Sequence, residues 1–225
     1  MAGTVKKRAY DSPRRREQAA ATRAAILDAA LKLFQQQGYG ATSVAAIAEE
    51  AGVALKTVYA VFGTKRGVLI ALRSRLVRGS DDPVPVAERE WFRAVLDEPN
   101  PRKRLSMFAQ AATVLKGRAG PIFEIIRHAA PTDPEIGAMW NEFMRDFYEN
   151  QRLVIERFAT DGILKVDVDR ATDILWTINH PAVYHLLVAE RGWSADAYQR
   201  WLEESLSQQL LTSIRRPNRK EEADR

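Results

Sequence analysis

The sequence predicts an all-α protein: an N-terminal three-helix unit with a helix-turn-helix pattern, followed by a larger C-terminal helical domain. Three observations predict it. Apolar residues recur at three- and four-residue spacing from about residue 19 to residue 210. Strand-like alternation between turn signals is absent. Gly and Pro cluster at joints between the periodic segments. The 225 residues, 46% hydrophobic and 28% charged, suffice for one large domain or two small ones.

Residues 1–12 are polar, basic (Lys6, Lys7, Arg8) and aperiodic, and read as a flexible arm. Ser12-Pro13 offers an N-cap followed by proline in a first turn. Ala19, Ile26, Leu27, Ala30, Leu33 and Phe34 then follow at helical spacing, and Gly38 supplies a left-handed stop, so a first helix is expected over about 13–37. Thr42-Ser43 caps a short second helix with Val44, Ile47, Ala48 and Ala51 inward, ended by Gly52. A third helix is expected from Leu55 to Phe62. Gly63-Thr64 breaks and recaps the chain, and Val68, Leu69, Leu72 and Leu76 carry a fourth to about residue 79.

Asp81-Asp82-Pro83-Val84-Pro85 is a composition shift and marks the domain boundary, giving 13–80 and 81–215 as the two domains. Beyond it, helices are expected at about 84–97, 101–116, 120–130, 133–160, 167–190 and 194–214. Residues 216–225 read as a disordered tail.

Several classes are excluded. Without cysteine there is no disulfide scaffold, thiolate metal site or cysteine nucleophile. No apolar run approaches the ~20 residues that span a bilayer, and the basic N-terminus has no apolar stretch behind it. The expectation is a cytoplasmic protein with no membrane association. No nucleophile–base pattern, His-Glu-x-x-His spacing or glycine-rich phosphate loop is present. Asp167, Asp169 and Asp173 are spaced like a helix start rather than a metal loop. No catalytic residue, metal or cofactor is expected.

Charge is unevenly placed. Residues 1–80 carry 14 Lys and Arg against 5 Asp and Glu, whereas residues 81–225 carry 20 against 24. A basic front on a mildly acidic body points to a nucleic-acid-binding segment, or to a basic tail with no partner. Two short helices joined by a glycine turn, inside that segment, form a helix-turn-helix. Gly52 permits the tight turn, and Ile47, Ala48, Ala51, Val53 and Val58 are spaced to share a core. Leu55, Lys56, Thr57, Tyr59 and Ala60 fall on or beside the face that meets a major groove.

The residues themselves carry a resemblance. Arg23-Ala24-Ala25-Ile26-Leu27-Asp28-Ala29-Ala30, Leu33-Phe34 and Gly38-Tyr39-Gly40-Ala41-Thr42-Ser43-Val44 closely resemble the start of the TetR family of bacterial transcriptional regulators. So do Ile47-Ala48, Ala51-Gly52-Val53, Thr57-Val58-Tyr59, Phe62 and Lys65. The likeness covers about residues 16–78. It implies that Thr42 and Ser43 cap the second helix and touch phosphate, that Thr57 and Tyr59 reach base edges and backbone, and that Lys65 grips a phosphate. Leu55 and Lys56 match variable positions that set specificity; lysine suits guanine and leucine a thymine methyl. Tyr59 is open to a second reading as half core, and Lys65 to one as a solvated charge. Two residues depart from the family pattern: Ala54 where Ser or Thr is frequent, and Val61 where His is common. The arm and Arg14–Arg16 read either as a solubility tail or as an extension tracking phosphate or the minor groove.

One recognition helix reads too few base pairs, so a homodimer on a palindromic operator is expected. Two stripes could form its interface: Ile174, Ile178, Ala182 and Leu186 on one helix, Trp201, Leu202, Leu206 and Leu210 on the last. The alternative is that both pack inside the subunit. Aromatics and methionines in the middle helices suit either core or an apolar effector pocket. The candidates are Phe108, Phe123, His128, Trp140, Phe143, Met144, Phe147, Asn179 and Tyr184. Asn179-His180-Pro181 places proline inside an apolar helix, which either lines a cavity or curves the helix at the dimer face. The function expected is sequence-specific regulation of transcription, as a homodimeric repressor released from double-stranded operator DNA by a largely apolar small molecule. An activator or a low-specificity DNA binder is the rival within the same class.

Overall fold

The structure, a computed structural model, describes residues 13–78 and 85–212. The readings of the arm (1–12, with Lys6, Lys7 and Arg8), of most of the boundary segment and of the tail (216–225) lie outside the described residues. The chain divides into two compact units, Met1–Leu72 and Arg73–Arg225. The division thus falls within the fourth helix rather than at the composition shift.

The first unit holds α1 (Pro13–Ala41), α2 (Val44–Glu50), α3 (Leu55–Phe62) and the first half of α4 (Lys65–Arg78). α1 buries Ile26, Leu27, Ala30 and Phe34 along one stripe. It is interrupted at Gly38, whose φ of 82° no β-carbon-bearing residue adopts cheaply. That break swings Tyr39 back under the helix, its ring 5.3 Å from Phe34. α2 and α3 contribute Ile47, Ala48 and Val58 to the same core, and α4 closes it with Val68, Leu69 and Leu72.

The second unit contains a 3₁₀ turn (Val86–Glu88), α5 (Glu90–Asp97), α6 (Pro101–Ala129), α7 (Pro134–Thr160), α8 (Val168–Ile178), α9 (Pro181–Tyr184) and α10 (Ala195–Leu210). The segment after α9, His185–Glu190, is π-helical. Several expected boundaries differ. The helix expected over 84–97 begins only at Glu90, after an extended Arg89, and the one expected over 194–214 stops at Leu210, where Leu211 is extended. Gly120-Pro121 does not split α6, which runs unbroken as one 29-residue helix. Conversely, the helix expected over 167–190 stops at Ile178: Asn179 forms its C-cap, the His180 ring accepts from the Ala182 amide at 3.1 Å, and Pro181 opens α9. A proline costs nothing at a first helical position, where its missing N–H has no partner to lose.

The core of this unit packs Phe92, Leu105, Phe108, Val154, Ile155, Phe158, Leu175 and Tyr198 around α10. Leu202, Leu206 and Leu210 belong to it, each at most 2% exposed. Their expected place on a dimer surface is therefore corrected: they are the inward stripe of α10, and its outer face is polar at Arg200, Glu204, Ser207 and Gln208. Ile174, Ile178, Ala182 and Trp201 are half-buried, and Leu186 is 49% exposed. Among the described residues, no helix is long and apolar enough to cross a membrane.

Candidate nucleic-acid interface and cavity

The glycine turn sets α3 against α2. Ser43 Oγ accepts from the Ala46 amide at 3.0 Å and caps α2. At the other end Gly52 (φ 65°) lets the Val53 amide reach back to the Ala48 carbonyl at 3.0 Å. Chain reversal is then complete within a few residues, and α3 emerges with Val58 inward, 1% exposed. Its opposite face is open: Leu55 is 43% and Tyr59 50% exposed, and Lys56 and Ala60 are exposed beside them. An apolar residue, a cation and a phenol on one free helical face can meet a thymine methyl, a guanine edge and a phosphate. Thr57 is half-buried. Ala54 gives α3 no side-chain cap.

Two motif residues are placed otherwise than expected. Thr42 is 1% exposed and does not cap α2; its hydroxyl donates to the Gly38 carbonyl at 2.8 Å and accepts from Gln37 at 3.2 Å. Lys65 sends its ammonium to the carbonyls of Tyr39 (2.8 Å), Gly40 (3.3 Å) and Thr42 (2.8 Å), and over the Tyr39 ring at 4.4 Å. A phosphate would have to compete with three carbonyls for those donors. The broken end of α1 exposes these orphan carbonyls, which explains why a cation serves there.

Gly67 is a residue that sequence reasoning missed. A β-carbon there would lie 2.0 Å from the Phe62 carbonyl oxygen. The first turn of α4, capped by Thr64 Oγ1 accepting from the Gly67 amide at 3.0 Å, therefore presses directly on the end of α3. No periodicity signals such a contact.

Within the second unit lies a cavity of about 550 Å³, in the range typical of small-molecule sites. Phe108, Phe123, Phe143, Phe147 and Asn179, all expected in a pocket, line it. Phe143 stacks on Phe123 at 4.6 Å and on Phe147 at 6.2 Å. His128, Trp140, Met144 and Tyr184 do not line it. His128 is exposed, Trp140 packs behind Phe143 at 5.7 Å, and Tyr184 stands edge-on to Tyr198 at 4.8 Å. α4 supplies Arg73, Ser74 and Val77 to the lining. Arg118 of α6 holds the end of that helix, donating to the carbonyls of Leu76 at 2.7 Å and Val77 at 2.9 Å.

The cavity also holds two buried polar residues that the sequence did not single out, Lys116 and Gln151, beside the expected Asn179; they are 4%, 3% and 2% exposed in that order. Lys116 Nζ donates to Asn179 Oδ1, whose own amide donates to Gln151 Oε1 at 2.9 Å. Burial pushes the Lys116 ammonium down to about 7. His180 nearby is also lowered, first by burial and then by the charges of Lys116 and Arg127. Lysine on a helix ordinarily reads as a solvated charge; only the break at Asn179 hinted at a polar pocket.

A glycine-turn helix pair with one open face on α3, followed by a helical body that holds a cavity, is the make-up of a DNA-binding regulator of transcription. The comparisons agree. A model described as "Bacterial regulatory proteins, tetR family" matches residues 26–72. The transcriptional regulator TtgR of Pseudomonas putida is 33% identical over 166 residues, 70% of this chain and 76% of that protein. The transcriptional repressor ComR of Escherichia coli is 46% identical over 55 residues, 24% of this chain and only 26% of that one. Among solved structures, NalD, the secondary repressor of the MexAB-OprM multidrug efflux pump in Pseudomonas aeruginosa, shares the fold. Its TM-score is 0.65 at 22% identity, over 88% of this chain and 99% of that one. The chain belongs to the TetR family.

Proposed function

We propose that this protein is a homodimeric repressor that reads a palindromic operator through paired α3 helices and leaves it when a small, largely apolar molecule fills the cavity. One observation carries the release step: the last turns of α4 form part of the cavity lining. α4 follows α3 directly in the chain, and Arg118 ties its final carbonyls to α6. A ligand that favours one placement of that wall changes the separation of two recognition helices from the ~34–36 Å that successive major grooves require. A hundredfold preference for the released arrangement corresponds to about 2.7 kcal/mol.

Leu55, Lys56, Thr57 and Tyr59 are the residues proposed to meet DNA, with Ser43 at the start of α2. The half-buried Ile174, Ile178 and Ala182 and the exposed Leu186 supply the apolar part of the dimer face. Mobility-shift titration on the DNA upstream of the gene tests the reading: a retarded complex forms at low salt and is lost with cavity ligands. Lys56→Ala should weaken it and lower the salt slope by about one counterion. No retarded complex, or a strictly monomeric protein, refutes it.

A further inference from the structure

Lys116 is an ammonium group with little to hold it. Its partners are one amide oxygen, that of Asn179, and the face of the Tyr198 ring 5.7 Å away. No carboxylate among the described residues pairs with it. The Tyr198 hydroxyl is likewise buried with no hydrogen-bond partner. A desolvated cation without a counter-ion is expensive, and an anion brought by a ligand repairs the deficit.

The rest of the lining fixes what kind of anion fits. It grades from exposed acids, Glu142, Asp146 and Glu149, to the buried Lys116, Gln151 and Asn179. The stacked rings of Phe123, Phe143 and Phe147 share the same lining. Acids at the outer end oppose a multiply charged anion, while the buried ammonium opposes a cation. An amide and a cation at the inner end together can satisfy the oxygens of a carboxylate.

We propose, resting on the reading of this cavity as the effector site, that it selects monoanionic aromatic carboxylic acids. The carboxylate pairs with Lys116 and Asn179, and the ring lies among the phenylalanines.

The test is calorimetric titration of the full-length protein with 2-naphthoate, its neutral isostere 2-naphthamide and the cation 2-naphthylmethylammonium. At pH 7 the carboxylate should bind roughly tenfold or more tightly than the amide, with the cation weakest. Lys116→Met should abolish that preference, leaving carboxylate and amide with affinities within about twofold of each other. A second measurement needs no variant. Comparing buffers of different ionisation enthalpy at pH 8, naphthoate binding should draw close to one proton per site into the wild-type protein.

The other titratable groups around the amine do not supply that proton signal. His180 and Tyr184 lie past the α8 break, Tyr198 is on α10, and Glu124 is paired with Arg127 at 2.6 Å. α5 gives the lining only Trp91 and Phe92, and Arg73 comes from α4. At pH 8 Tyr184 and Tyr198 stay neutral, both pushed up by burial, and His180 is held below its ordinary value, first by burial. Equal affinities for carboxylate and amide, absent carboxylate binding, or no proton uptake overturns the assignment. Operator release by naphthamide in that event leaves the release reading standing. Tight carboxylate binding that leaves operator occupancy unchanged refutes the release reading and not this one.

Discussion

Replacing Lys116 by methionine removes a charge from the interior at nearly constant volume, and the change in stability should depend steeply on pH. Lysine ordinarily ionises at 10.5, but burial holds Lys116 at about 7. Below pH 7 both folded and unfolded chains carry the proton, and the folded state bears the full desolvation penalty. Between 7 and 10.5 only the unfolded chain is protonated, so wild-type stability rises with pH, and above 10.5 the penalty is gone. At ~1.36 kcal/mol per unit of pKa, the penalty at pH 6 is about 5 kcal/mol. Methionine leaves the Asn179 carbonyl oxygen without its donor, at a cost of about 1–3 kcal/mol. Lys116→Met should therefore be more stable than wild type by about 2–4 kcal/mol at pH 6. The two should cross near about pH 9, and the variant should be less stable at pH 11. Urea unfolding followed by helical circular dichroism, at one protomer concentration across pH 6 to 11, measures this directly. A variant no more stable than wild type at pH 6, or with the same pH slope, refutes the burial of an unpaired ammonium.

Gly67→Ala should cost about 1–3 kcal/mol of stability and weaken operator binding, because the new methyl meets the Phe62 carbonyl oxygen at 2.0 Å and backbone cannot yield cheaply. Denaturant unfolding and a DNA titration of the same preparation check both. Lys65→Met should destabilise the first unit by about 1–3 kcal/mol by orphaning carbonyls at the end of α1. The slope of log affinity against log salt should stay unchanged, unlike that of Lys56→Ala, and a slope lower by one would return Lys65 to the phosphate. Arg118→Ala should leave ligand affinity alone yet raise the ligand concentration that halves operator occupancy by roughly fivefold, about 1 kcal/mol of coupling. Parallel calorimetry and anisotropy titrations separate the two quantities.

The first unit was legible because its signals are local. Gly38, Gly52 and Gly63 all take positive φ, at 82°, 65° and 71°, and α3 begins and ends at Leu55 and Phe62 as its spacing predicts. What the spacing missed were placements set by tertiary contact. Thr42 and Ser43 are equivalent as caps in sequence; only Ser43 keeps its hydroxyl on the helix end, since the break at Gly38 draws Thr42 inward. On α10 an apolar stripe identifies an inward face but not which core it faces, so Leu202, Leu206 and Leu210 fit a dimer seam as well as the subunit interior. Five of nine pocket candidates line the cavity because aromatics at helical spacing share a face. The polar residues beside them were invisible because Lys116 and Gln151 look like ordinary helix surface until the neighbours of α6 are known.

α6 carries two buried cations, and the difference between them separates structure from function. Arg104 is wholly buried yet fully answered. Its guanidinium meets Asp161 at 2.5 Å and the Glu98 carbonyl at 3.0 and 2.6 Å, and it lies 5.1 Å over the Phe158 ring. Asp161 in turn takes Arg157 at 2.9 Å. Such a closed network pins the α5–α6 connection to the end of α7, and its charge is balanced inside the fold. Lys116, further along the same helix, faces comparable desolvation with no carboxylate and one amide oxygen. A lysine kept only for packing would gain from the apolar replacement that Arg104 could not accept without taking one of two cations from Asp161 and both donors from the Glu98 carbonyl. The chain bears the cost at Lys116 in the wall of a cavity and avoids it at Arg104 in the core, and that contrast is what the proposed carboxylate ligand accounts for.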